Sequence, residues 1–465
     1  MRERLSASSG DALFECAMTG RARERAVGRE AYMLFANIDL LDENLDYRAH
    51  QWVGVKDGRI AYRGDTEPSA EEAATYGEVY DGHGKVLMPA FYNAHAHAPM
   101  TLLRGYAENL PLQAWLNDKV FPFEAKITPE DCYWGTLLAC AEMARYGVVS
   151  FSDMYYHMQE GARAAIDAGL KMNVSDTLIA FGDVGLDDLP LRAQDDRLIH
   201  DLHKAADGRI VVDCNIHAEY TSNPRAVADM AAYAKERGLR IQLHASETKL
   251  EHEECQQRHN GLTPVRYFKS LGVLDVPVTM AHCVWVDDED IDILAARGVF
   301  VAANPASNMK LGSGFAPIPR MLERGVKVCL GTDGMASNNN HDMMQDLYLL
   351  ALVYKGSTGD PTVVSPKQAL GAATRMGALS QGREDCGLVK EGMKADLCVL
   401  DVTGPSWAPM TDPLGNLVYA GHGSDVCLTM CDGQVVYRDG MWPLVDVERA
   451  KAEVAARTKR IMDEL

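Results

Sequence analysis

VLMPAFYNAHAH, residues 86–97, is apolar along most of its length and turns polar only at its C-terminal end, where His95 and His97 stand. Seven later runs are apolar in the same way, and most of them also turn polar at the end: VVSFSDMYY (148–156), KMNVSDTLIA (171–180), IVVDCNIHAE (210–219), RIQLHASE (240–247), VTMAHCVWV (278–286), VFVAANPASN (299–308) and VKVCLGTDG (326–334). The intervals between them leave room for helices, such as ITPEDCYWGTLLACAEMARYG at 127–147. Short apolar strands alternating with helices mark a parallel sheet covered on both faces. Eight such units in succession predict an α/β protein built on a TIM-type (β/α)8 barrel.

The flanks of this region read differently. YMLFANIDLL (32–41), HQWVGVKDGRIAYRGD (50–65) and GEVYDGHGKVLMP (77–89) alternate apolar and polar residues, and Asp57-Gly58 is a hairpin signal. The same texture returns in KADLCVLDV (394–402) and VCLTMCDGQVVYRDG (426–440), with Asp432-Gly433 as the turn. The economical arrangement is one small β domain made from both ends. The expected division is an N-terminal extension at 1–30, a small β domain from 31–88 and 385–445, the barrel at 89–384, and a C-terminal helix at 446–465.

The chain has 465 residues, 47% of them hydrophobic and 24% charged, which is globular composition and excludes intrinsic disorder. Its 46 Lys+Arg against 66 Asp+Glu give a formal charge of −20. Nucleic acid and anionic membrane are therefore not expected partners, because both need a basic footprint. No apolar run reaches the length of about 18 residues that a membrane span needs. The 11 cysteines include no Cys-x-x-Cys pair, so they read as buried thiols in a reducing compartment. With no apolar segment in the first 30 residues to act as a secretory signal, the reading is cytoplasmic. The Met- and Tyr-rich HDMMQDLYLLALVY at 341–354 fits either a core helix or a homo-oligomer interface, and is read as core.

The polar ends of seven of the eight runs carry the chemistry: His95 and His97, Asp153, His217 and Glu219, His244 and Glu247, His282, Asn304 and Asn308, and Asp333. In a parallel barrel those ends form the mouth where active sites lie. One strand-end histidine is more often a satisfied core residue. Several converging on metal-type donors are hard to dismiss in that way. His95 and His97, two apart on a strand, share a face. With His244 and Asp333 they make three imidazoles and a carboxylate, a donor set for one divalent ion, zinc first and iron as the alternative. Such an ion makes hydroxide available near neutral pH by acidifying a bound water. Glu247, three residues past His244, suits general acid/base work, against a plain reading as a helix cap. His282 reads either as a further ligand or as a residue that polarises the water. The fourth run lacks the lysine that often bridges two metals in barrel hydrolases, which argues for one ion and leaves His217 as a substrate contact.

PAFYNAHAHAPMTLLRG (89–105), LHASE (243–247), MAHC (280–283) and GTDGMASNNNHDM (331–343) together resemble the amidohydrolase superfamily, and within it the S-adenosylhomocysteine/5′-methylthioadenosine deaminases. The resemblance runs from about Leu34 to Val436. It implies a distorted (β/α)8 barrel with a small β-sandwich from both termini, and metal binding by His95, His97, His244 and Asp333. Glu247 would carry a proton to the ring nitrogen, His282 would orient the nucleophile, and Asp333 would pass a proton to the leaving amine. Trp115 and Glu124, nine apart in QAWLNDKVFPFEAK, match the family's substrate pair: Glu124 for the ribose hydroxyls, Trp115 packing on the substrate. His217 matches a histidine that contacts the purine. The implied substrate is a 6-aminopurine nucleoside (5′-methylthioadenosine, S-adenosylhomocysteine or adenosine). The alternatives are another aminated or chlorinated heterocycle and, remotely, a metal-binding scaffold without catalysis.

One departure stands out. Family members that accept S-adenosylhomocysteine place arginines after the third strand for the amino-acid carboxylate. Here the first such position falls near Ala180, and Arg192 is the candidate for the second, within a stretch holding Asp183, Asp187 and Asp188. A carboxylate tail would forgo a charge-assisted bond of about 1.5–3 kcal/mol. The expectation is a neutral tail.

Overall fold

The structure is a computed structural model and describes residues 32–465. The extension expected at 1–30 lies outside the described residues. The eight predicted runs form eight parallel strands: β1 (Phe91–His97), β2 (Val148–Tyr155), β3 (Lys171–Asp176), β4 (Ile210–Val212 and Cys214–Ile216), β5 (Ile241–Ala245), β6 (Val278–His282), β7 (Phe300–Ala303) and β8 (Lys327–Leu330 and Asp333–Gly334). They fall into two five-stranded parallel sheets that share β4 and β8, each strand being interrupted once.

The interruptions join the sheets rather than separate them. At β4, Asp213 N donates to Val174 O of β3, while Cys214 N donates to the carbonyl of Arg240 at the foot of β5. At β8, Gly331 N donates to Ala303 O of β7, and Asp333 pairs with Ala96 of β1. The ring of strands thus runs from β1 round to β8 and back, a barrel distorted at two points. Gly331 is required at the second: a Cβ there would lie 2.5 Å from Asn304 Oδ1 and 2.9 Å from the His95 Cβ. Only a bare backbone lets β8 come this close to β1.

Helices start where the sequence supplies caps. Thr128 and Asp131 form a capping box ahead of Pro129–Arg145, and Asn223, Thr248 and Asp287 cap the helices that follow β4, β5 and β6.

The two chain ends share one eight-stranded sheet. Its order is Gln434–Arg438, Val426–Cys431, Leu397–Asp401, Lys85–Pro89, Met33–Leu41, Tyr47–Lys56 and Arg59–Gly64, with Glu78–Asp81 also beside Met33–Leu41. Phe35, Ile38, Val53 and Val55 from one end cluster with Leu397, Val399, Leu428 and Met430 from the other, so the sheet wraps round its own core. Both expected hairpins form, with φ of +51° and +70° at Asp57-Gly58 and +47° and +75° at Asp432-Gly433. One expectation needs correcting. VLMPAFYNAHAH is not a single strand: Lys85–Pro89 pairs with Leu397–Asp401, and the barrel begins at Phe91.

Within 341–354, Met343, Met344, Leu347, Leu350 and Tyr354 are buried in the helix Met343–Thr358, as the core reading expects, but Tyr348 is exposed. Ten cysteines are described, all buried and free. No described helix is long and apolar enough to cross a membrane.

Candidate metal centre and substrate chamber

His95 and His97 end β1, His244 lies near the end of β5, His282 ends β6, and Asp333 opens the second segment of β8. All five side chains are buried at one end of the barrel. Ligand atoms of His95, His97 and His244 lie within 4.8 Å of one another, and so do those of His95, His282 and Asp333. Asp333 Oδ1 is 3.5 Å from His95 Nε2 and 3.3 Å from His97 Nε2.

Backbone carbonyls fix the orientation of two imidazoles. His97 Nδ1 donates to Met154 O at 2.8 Å, and His244 Nδ1 donates to His217 O at 2.8 Å. Each then turns Nε2 inward, and these two nitrogens face each other at 3.3 Å. With both Nδ1 protons committed, the facing lone pairs repel unless a cation lies between them. His95 Nε2 is buried and has no hydrogen-bond partner among the described residues. Three inward imidazoles and a carboxylate, with carbonyls behind two of the rings, fit a divalent ion of the zinc type.

Strain collects at the same strand ends. Ser246, His282 and Asp333 all have left-handed backbones, with φ of +51°, +74° and +63°. Such conformations in non-glycine residues cost energy and gather at functional sites. Ser307 Oγ donates to Asp333 Oδ2 at 2.6 Å, and His282 Nδ1 donates to Asn308 Oδ1 at 2.8 Å. Burial opposes ionisation of Asp333, but the His95 and His97 imidazoles overcome it and hold the carboxyl well below its usual range.

Glu247 follows β5 and is 7% exposed. Burial raises its pKa. His282 Nε2 stands 3.9 Å from Glu247 Oε2 and 3.9 Å from Asp333 Oδ2, midway between the two carboxylates. Two further residues that the sequence did not single out hold Glu247. Ser313 Oγ donates to Glu247 Oε1 at 3.3 Å, and Glu251 accepts the backbone N–H groups of Ser246 and Glu247 at 2.9 and 2.7 Å.

A narrow inner chamber is lined by His97, His244, Glu247, His282 and Asp333 together with His217, Trp115 and Glu124. Its cover is the segment Leu112–Glu124, in which the π-turn Leu116–Val120 joins two short α-turns. Nine residues of unbroken α-helix make about two and a half turns and would put Trp115 and Glu124 on opposite faces. The wider turn changes the phase, and both reach the chamber. Burial pushes the Glu124 carboxyl up to about 7. The His217 ring meets Thr221 Oγ1 at 2.9 Å, and burial lowers its pKa to about 3, so it is neutral.

Past Glu124 and Tyr155 the inner chamber meets an outer cavity of about 870 Å³. Tyr156, Thr177, Phe181, Gln194 and Arg197 are among its walls. Arg192 is not brought to either chamber: it pairs with Asp187 and Asp196 and lies over Tyr233. Its helix instead sends Arg197 to the cavity, and the described residues form no ion pair with that guanidinium. Glu219 also turns away, held by Arg258 and His259.

The amidohydrolase family model matches residues 86–436, three quarters of the sequence. The chain belongs to the amidohydrolase family. This amidohydrolase is 40% identical over 416 residues to a 5-methylthioadenosine/S-adenosylhomocysteine deaminase of Pelotomaculum thermopropionicum, covering 88% of this chain and 95% of that protein. It is 42% identical over 408 residues to a 5′-deoxyadenosine deaminase of Methanothermobacter thermautotrophicus, covering 87% and 94%. Among solved structures, an adenosine deaminase from Xanthomonas campestris with bound zinc superposes with a TM-score of 0.86 at 28% identity, covering 93% of this amidohydrolase and 99% of that chain.

Proposed function

We propose that this chain is a metal-dependent hydrolytic deaminase that converts a 6-aminopurine nucleoside to the inosine analogue and ammonia. The observation that carries the reading is the line Glu247–His282–Asp333 beside three inward imidazoles. His95, His97, His244 and Asp333 would hold one divalent ion, zinc by the chemistry of the donors, which when bound supplies the Lewis acidity that makes water nucleophilic at neutral pH. His282, fixed by Asn308, orients the attacking water toward C6. Glu247 keeps a proton available because burial disfavours its charged form, and delivers that proton to ring N1. Asp333 takes one proton from the attacking water and returns it to the amine as ammonia leaves, and the water's second proton, released from the C6 hydroxyl as the carbonyl forms, restores Glu247. The balance is nucleoside plus water giving inosine analogue plus ammonia.

Glu124 marks the substrate as a nucleoside rather than a free base. Its carboxylate faces the passage between the chambers, where a ribose would lie when the base reaches Glu247. His217 is the neutral contact for the purine, and Trp115 packs on the substrate. The outer cavity leaves room for a 5′ substituent, and Arg197, not Arg192, is the cation available to a carboxylate at its end. The nucleosides after which the relatives are named, 5-methylthioadenosine, S-adenosylhomocysteine and 5′-deoxyadenosine, all fit this layout.

The test is a panel of adenosine, 5′-methylthioadenosine, S-adenosylhomocysteine, guanine and cytosine, with ammonia release and metal content measured on one preparation. Turnover of adenosine derivatives at about one metal per chain is expected, and turnover of none of them overturns the proposal. In the same assay Glu124→Ala lowers kcat/KM for nucleosides by about 10²-fold, the loss of a charge-assisted pair of hydrogen bonds. Its effect on any free base that is turned over stays within about twofold. Equal losses on both would remove Glu124 from the ribose site. Arg197→Ala lowers kcat/KM for S-adenosylhomocysteine by about tenfold and leaves 5′-methylthioadenosine unchanged, in line with one charged hydrogen bond. An equal change on both would take Arg197 out of tail recognition.

A further inference from the structure

Two buried side chains on the inner chamber carry hydrogen-bond donors that find no partner among the described residues: the Tyr155 hydroxyl and the Trp115 indole N–H. Tyr155 is 3% exposed and lines both chambers. Its backbone is fixed in β2, where it pairs with Asp176 and its carbonyl accepts from Thr177 N at 3.0 Å. Its ring lies against His97, with centroids 6.2 Å apart. The residue shares the lining of both chambers with Glu124, yet its hydroxyl completes no hydrogen bond of normal geometry with any described group. Buried hydroxyls are almost always paired, and one left open toward a chamber marks a place for a ligand atom.

The chemistry of a vicinal diol says which atom. Each hydroxyl brings an O–H donor and an oxygen that accepts. A carboxylate answers only the donors. A diol drawn into this dry passage against Glu124 alone would leave its oxygens unsatisfied, and a site in that state discriminates weakly between hydroxyl and hydrogen. We infer that Tyr155 is a specificity-determining residue that donates its hydroxyl proton to an oxygen of the ribose diol held by Glu124. The inference rests on the nucleoside reading above and adds the half of the recognition that Glu124 does not supply. It sets the enzyme against substrates that lack the diol.

The experiment compares adenosine with 2′,3′-dideoxyadenosine in the metal-loaded full chain, in the wild type, Tyr155→Phe, Glu124→Ala and the double variant. Tyr155→Phe removes one unpaired oxygen, so folding and metal content stay at wild-type values, checked by thermal melting and metal analysis. The expected result is a fall of about 10-fold in kcat/KM on adenosine, mostly in KM, and less than about twofold on the dideoxynucleoside, as the loss of one buried hydrogen bond predicts. In the Glu124→Ala background, Tyr155→Phe still lowers adenosine use by at least about threefold, because the contact is with the diol itself. Equal losses on the two substrates, no loss on adenosine, or a loss that vanishes without Glu124 would each overturn the inference. If the wild type deaminates neither nucleoside, the functional proposal fails first. Calorimetric binding of adenosine to the wild type and Tyr155→Phe then decides: tighter binding by the wild type sustains the diol contact, and equal or absent binding ends it.

Discussion

Glu247→Gln leaves the metal in place and removes nearly all turnover, a loss of about 10²–10⁴-fold, the range a positioned general acid/base supplies. Glutamine keeps the length and the acceptor oxygen, so Ser313 Oγ can still reach it, and the backbone clamp from Glu251 is untouched. What the amide lacks is a transferable proton. The variant should melt at the wild-type temperature and carry the same metal, since Glu247 is set apart from the cluster of His95, His97 and His244. KM should change little, because proton delivery to N1 belongs to the transition state rather than to binding. Activity within a few-fold of wild type would show that another group carries the proton. A parallel loss of metal would instead make Glu247 a ligand.

The second large effect is on stability and lies at the far end of β3. Lys171 is 2% exposed, and its ammonium contacts Asp396, at 2.6 Å to Oδ2, and Asp432 at 2.7 Å. Tyr92 also donates to Asp396, and Asp432 N donates to it at 2.8 Å. This cluster joins the foot of the barrel to the sheet made by the chain ends. Burial pulls the lysine pKa down, but Asp396 overcomes that and holds it above its usual value. Lys171→Met leaves the Asp396 charge buried without its counterion, and the expected loss is about 3–5 kcal/mol in chemical denaturation. Adding Asp396→Asn removes that charge and should return at least about 1 kcal/mol. A double variant as unstable as the single one would assign the loss to packing. The cluster lies opposite the mouth, so folded Lys171→Met should keep wild-type kcat.

The barrel was legible because most of its strands are apolar first and turn polar at their C-terminal ends, a pattern that tertiary packing cannot disguise. His95 and His97 were legible for the same reason: a two-residue spacing on a strand fixes a shared face. The break at Ala90 was not, because Lys85–Pro89 and Phe91–His97 are equally apolar, and only the pairing partner, Leu397–Asp401, tells one sheet from the other. The helix Pro190–Leu202 carries two arginines, and sequence spacing alone does not say which faces the cavity. Asp187 and Asp196 draw Arg192 aside, and the helical phase delivers Arg197. Ser313, Glu251 and Tyr155 carry no motif that sequence could read. Ser313 acts through one hydrogen bond to a carboxylate and Glu251 through two to the backbone, while Tyr155 shows itself only by an unpaired hydroxyl. Glu251 had a faint signal, a carboxylate four residues past Glu247 and three past the Thr248 cap.

The sheet shared by the chain ends also sets an order of events in synthesis. Met33–Leu41 and Lys85–Pro89 leave the ribosome early, but Pro89 finds Leu397 only after every barrel strand has been made. At about 5–20 residues per second, the edge of Lys85–Pro89 stays open for tens of seconds. An open apolar edge is a site for mispairing with another chain. The Lys171–Asp396 pair forms at the same late moment, since Asp396 directly precedes the closing strand. Closure of this sheet is therefore the step at which a nascent chain is most exposed to aggregation, and the buried ion pair acts as its latch.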